Sequence, residues 1–136
     1  MILLGEDMSD PPPLPSATTR DLLGWALRRT RRFRVTGPSM EPSLFDGDVV
    51  FVDADAYRSG APEDLDIVVA YHPQKPSLEI IKRVEFTTED GAYLVGDNSD
   101  AEGASDSRRF GIVAFDQVIG KVTAVAPSKK STTLQR

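Results

Sequence analysis

Two residues in this chain have the types and settings that peptide-bond chemistry needs. Ser39 sits in Gly37-Pro38-Ser39-Met40-Glu41-Pro42-Ser43-Leu44, a Gly/Pro-rich turn between two apolar runs. Lys82 sits in Leu78-Glu79-Ile80-Ile81-Lys82-Arg83-Val84, an otherwise apolar strand. A serine hydroxyl is a weak nucleophile until a base removes its proton. Gly37 lets backbone approach a substrate closely, and Pro38 stiffens the turn. On a strand Lys82 shares a face with Ile80 and Val84, so its amine is open to desolvation. Desolvation lowers a lysine pKa and leaves neutral amine to act as base. The bland alternatives are a β-turn serine and a lysine whose head reaches water.

Other bases are few. His72 is the single histidine, and its place before Pro73 reads as a solvated loop position. Asp46-Gly47-Asp48 reads as a turn with solvated aspartates before a strand. With one histidine and no cysteine, a thiolate or multi-histidine metal site is excluded, and no cofactor is expected.

The elements that must position the pair follow from periodicity and turn chemistry. The 136 residues suit one domain, and 40% hydrophobic content with 27% charge can bury a modest core. Residues 1–15 read as a flexible Pro-rich tail, and 16–32 as a short Arg-rich helix capped by Ser16 or Thr18. Strands are expected at 33–36, 48–52, 65–71, 78–86, 92–95, 110–113 and 118–126. Glu89-Asp90-Gly91 marks a hairpin, 96–107 a long polar loop, and 127–136 a basic polar tail. Such spacing predicts a mainly β fold, a coiled antiparallel sheet or partly open barrel, after one short helix.

The net charge of −5 argues against nucleic acid as a partner. No apolar run approaches the ~20 residues that cross a bilayer, and the opening lacks a signal peptide's pattern, so a cytoplasmic protein is expected. The arginines at 28, 29, 31 and 32 are the one feature that suits peripheral contact with an anionic membrane or an acidic partner.

Three segments, in order, resemble the boxes of the type I signal peptidase family of Ser/Lys endopeptidases. They are Ser39–Leu44 with Gly47-Asp48, then Ile81-Lys82-Arg83-Val84, then Gly96-Asp97-Asn98 through Asp106-Ser107-Arg108 and Gly111. The resemblance covers about residues 33–126 and implies a mostly β catalytic core. It implies Ser39 as nucleophile, Lys82 as general base and the Ser39 N–H as an oxyanion donor. Gly37 stands where some relatives carry a second, hydroxyl donor. Val35, Met40, Leu44, Ile80 and Ile81 match positions that shape the substrate pocket. Asp97 belongs to the bracing box, and Asp106 and Arg108 match a structural ion pair. The serine that orients the lysine in relatives is replaced by Ala104, with Ser105 one place later.

Without a membrane anchor, the pattern is most similar to the soluble branch that matures nickel-type superoxide dismutase. That implies removal of a short N-terminal extension from the precursor of that enzyme. Alternatives are signal-peptidase-like processing of other precursors, a self-cleaving repressor-type peptidase, and a peptide-binding module without catalysis. The repressor reading needs an N-terminal DNA-binding domain, and residues 1–32 offer at most one helix.

Overall fold

The computed structural model describes residues 14, 16, 30–101 and 105–128. The first expected tail apart from Leu14, the helix apart from Ser16 and residues 30–32, and most of the basic tail lie outside them.

Six strands form one open antiparallel sheet. They are β1 (Arg31–Arg34), β2 (Val49–Asp53), β3 (Ile67–His72), β4 (Lys75–Thr88), β5 (Gly91–Val95) and β6 (Val118–Ala126). Their order across the sheet is β1-β2-β6-β3-β4-β5. The expected mainly β antiparallel fold is therefore observed. The order leaves β1 and β5 as edges rather than closing the ring.

β3 shows why the sheet is stable. Its Ile-Val-Val-Ala run is buried at every position. Alternation sends Ile67 and Val69 to one hydrophobic cluster, with Val50, Val52 and Val122. It sends Val68 and Ala70 to a second cluster, with Val84, Leu94 and Val113. A continuous apolar strand fits this two-sided burial, which an alternating strand would not.

Several boundaries differ from the sequence pattern. Arg31 and Arg32 pair with Val52 and Phe51, so a helix reaching residue 32 is corrected. Phe33 packs on the core while the arginines stay exposed, which suits an edge strand against the apolar β2. The expected strand at 110–113 is instead a helical turn, α1 (Ser107–Phe110), and a single bridge from Val113 to Ala92. Asp106 caps α1 by accepting from the Arg108 N–H at 3.0 Å. The segment after His72 is no loop: a two-residue turn, Pro73-Gln74, joins His72 to its partner Lys75.

The turn that carries Ser39 is pinned at both ends. Val35 N donates to Asp48 O at 2.8 Å, and Gly47 N donates to Val35 O at 2.8 Å. Asp48 is buried, not solvated as its turn setting suggested. Its carboxylate accepts from Phe45 N at 2.9 Å and Ser128 N at 2.8 Å, which satisfies the charge. Met40 and Leu44 hang from this turn into the first cluster with no exposed surface.

Truncating such anchors separates core from rim. Met40→Ala should cost about 2–5 kcal/mol by lost burial and cavity formation. Leu78→Ala, at a residue 46% exposed, should stay within about 0.5 kcal/mol. Urea unfolding of both variants checks this, and equal losses would contradict the assignment of Met40 to the core.

Candidate active site

Ser39 and Lys82 lie 43 residues apart in sequence and meet in space: Lys82 Nζ donates to Ser39 Oγ at 3.1 Å. Lys82 pairs across the sheet with Val68, so its side chain rises from the face of the second cluster. Only 5% of Lys82 is exposed. That burial pushes its pKa below the ordinary 10.5. The Asp106 carboxylate pulls it back up, and the Arg108 guanidinium pushes it down again.

The segment 96–98 fixes the serine from below. Asn98 N donates to Ser39 O at 2.9 Å, and the Asn98 side-chain amide donates to Pro38 O at 3.1 Å. Gly96 runs so close that a Cβ there would stand 2.8 Å from Ser39 O and 3.6 Å from Lys82 Nζ. A side chain at 96 would drive Ser39 and Lys82 apart, which is why glycine opens the Gly-Asp-Asn segment.

A second layer of charge ties these parts together. Asp97 accepts from Arg83 Nε at 3.1 Å and from Arg83 Nη2 at 2.6 Å, and it also accepts the Ser43 hydroxyl. Arg83 donates further to Leu65 O at 2.8 Å. The turn that carries Ser39, the strand that carries Lys82 and the 96–98 segment thus share one ion pair with little exposure. Asp106 accepts from Gly96 N at 3.0 Å and from Arg108 Nη2 at 2.6 Å. Burial alone would raise the Asp106 pKa. The hydrogen bonds from Arg108 and Gly96 outweigh it and take the carboxyl down to about 2.

Both residues open on a cleft of about 590 Å³. Its walls are the stretch from Phe33 to Ser39 and the β4 stretch from Ser77 to Lys82. β1 pairs with β2, and among the described residues this half of β4 pairs with β3 alone. The β4 edge along this stretch has no strand partner among the described residues and faces the cleft, ready for an extended chain. Arg31 and Glu79, 3.8 Å apart, link the two walls.

Most of the expected site residues converge here. Val35, Gly37, Ile80, Ile81 and Ser105 line the cleft beside Ser39 and Lys82. Gly37 has φ 79°, and a Cβ added there would meet nothing within 4 Å, so glycine serves its backbone conformation rather than a close approach. Its N–H is engaged by Asp46 Oδ1 at 2.9 Å. Met40 and Leu44 do not line the cleft; they support its floor from the core. Asp97 and the Asp106–Arg108 pair brace the site.

The sequence reading missed two features. His72 is not a solvated loop residue: it ends β3, is 4% exposed and lines the cleft. Its ring lies against Phe110 with centroids 4.7 Å apart. Burial pushes its pKa down, with help from Lys75 and Lys82. The Arg83–Asp97–Ser43 link was also unseen as a unit, although Arg83 beside the lysine and Asp97 after the glycine were its visible signals.

Removing one member of that link leaves the other charge buried and alone. Arg83→Met should cost about 3–5 kcal/mol. Arg83→Met with Asp97→Leu should recover much of that loss, because no uncompensated charge remains. A thermal-unfolding double-mutant cycle measures the coupling, and additive losses would show that the pair is not a unit.

Residues 24–85, which include both Ser39 and Lys82, match the model of the family described as signal peptidase, peptidase S26. Similar curated proteins are named mitochondrial inner membrane protease subunit 1. The Xenopus tropicalis protein is 30% identical over 107 residues, covering 64% of this chain and 63% of that protein. The Mus musculus and Homo sapiens proteins are each 26% identical over 107 residues, with the same coverage. This chain thus spans less than two thirds of the length of these relatives. The chain is thus similar, over residues 24–85, to signal peptidases of the S26 family, and its mainly β sheet is in keeping with that likeness.

Proposed function

We propose that this chain is a serine endopeptidase of the Ser/Lys type. The observation that carries the proposal is the hydrogen bond between Lys82 and Ser39 at 3.1 Å, made by an amine shielded from water. A precursor segment lies extended in the cleft and pairs with the edge of β4. Neutral Lys82 takes the Ser39 hydroxyl proton as Oγ bonds the scissile carbonyl carbon. The Ser39 N–H donates to the resulting oxyanion, a contribution of about 2.7–4 kcal/mol for one such donor. The Lys82 ammonium then gives its proton to the departing amine nitrogen as the C–N bond breaks. Water activated by Lys82 releases the acyl group and restores Ser39.

The substrate proposed is a precursor with a short N-terminal extension, specifically that of nickel-type superoxide dismutase, met in the cytoplasm. This finer reading rests on the sequence pattern. The curated relatives bear the name of a mitochondrial inner membrane protease subunit, so other precursors form the second substrate class. Among the described residues no helix is long and apolar enough to cross a membrane.

Intact-mass analysis of the precursor with wild type, Ser39→Ala, Lys82→Met and His72→Phe tests both levels. Loss of at least about a hundredfold in rate is expected for the first two variants, because one lacks the nucleophile and the other the base. Cleavage by all four would remove the Ser/Lys mechanism. Cleavage of other precursor peptides but not this one would leave the mechanism and replace the substrate.

The rate should also depend on pH in one direction. Lys82 works neutral, and its pKa lies below 10.5. Single-turnover kcat/KM should therefore rise with pH and level off above an apparent pKa lower than 10.5. A rate that falls across the neutral to alkaline range, with the fold intact by circular dichroism, would contradict Lys82 as the base.

A further inference from the structure

His72 carries more than a structural role. Its Nδ1 accepts from the Gln74 N–H at 3.0 Å, which fixes the neutral ring as the Nε2–H tautomer. Nε2 has no protein partner among the described residues, yet no buried side-chain nitrogen among them is left unsatisfied. The Nε2–H therefore reaches solvent, and His72 lines the catalytic cleft. The ring cannot swing away easily, because Phe110 packs against it.

Lys75 is its cross-strand partner at the hairpin end and lines the same cleft, as does Ser77. This end of the cleft is thus rich in donors. Among the described lining residues Glu79 is the one carboxylate, and Arg31 already holds it. Lys82 marks the distance to the chemistry. It pairs with Val68, four strand positions before His72. At about 3.3 Å per residue that is ~13 Å, or about four residues of an extended peptide.

From this juxtaposition we infer that His72 and Lys75 form a subsite for an acidic side chain of the peptide, about four residues from the bond that Ser39 attacks. The neutral imidazole supplies a directed N–H, and Lys75 supplies charge. A carboxylate is the group that uses both. The inference rests on the peptidase reading for its register, and the test separates the two.

Ser39→Ala protein binds without cutting, so peptide affinity can be read directly. The probe is a decapeptide library in which each position in turn is fixed as Glu, Gln or Lys. One position should favour Glu over Gln by about tenfold and over Lys by more, the size expected of one charge-assisted hydrogen bond. Adding His72→Phe, which keeps an aromatic ring against Phe110, should erase most of the preference. His72→Gln, which keeps a donor near the Nε2 position, should restore part of it. Lys75→Glu, an exposed change, should reverse it. Equal binding of the Glu, Gln and Lys libraries at every position would overturn the subsite. So would a Glu preference untouched by His72→Phe and Lys75→Glu. If peptides bind with these preferences but wild type cuts none of them, the peptidase reading fails and the subsite stands.

Discussion

A lysine amine held out of water beside a serine is the constraint that the rest of the structure serves. An ammonium in an apolar pocket is costly, so the pocket favours the neutral form, and the neutral form is the one that can accept a proton. Burial of the Lys82 side chain supplies the desolvation. Asp106 lies near enough to favour the charged form, and Arg108 offsets it while holding that carboxylate. The ion pair thereby keeps a negative charge close to Lys82 without letting it cancel the effect of burial.

Precision in the pair comes from the contacts behind it. The nucleophile turn is anchored by backbone bonds to its neighbours and by the buried Asp48 carboxylate. It is then fastened to the bracing loop through Asn98 and through the Ser43 hydroxyl on Asp97. Arg83, adjacent to Lys82 on β4, holds the same Asp97. Alternation along the strand explains the economy: Lys82 faces the cleft, while Arg83, pointing the other way, reaches the brace.

The legible parts of the fold were those with local signals. The apolar runs of β2, β3 and β6 declared themselves by β-branched content, and the β4–β5 hairpin by its Asp-Gly turn. The serine and lysine were readable because a polar group in each setting breaks the local pattern. Long-range partners were not readable. Nothing near Asp48 announces that Ser128, 80 residues away, will bury it. Nothing near His72 announces Phe110, or the irregular pairing that lets β4 begin at Lys75. The family resemblance implies a pocket role for Met40 and Leu44, but only the packing shows that they support the cleft from the core.

The strand order has a consequence for when chemistry becomes available. β6 lies between β2 and β3, yet it is the last of the six strands in the chain. Before it is in place, β1 and β2 carry the serine on one ribbon, and β3 to β5 carry the lysine on another. Among the described residues the two ribbons have no strand pairing with each other except through β6. During synthesis a ribosome thus exposes the serine before the strand that joins its ribbon to the lysine's within the sheet. The strand order ties the sheet pairing of the two ribbons to a strand that follows both of them in sequence.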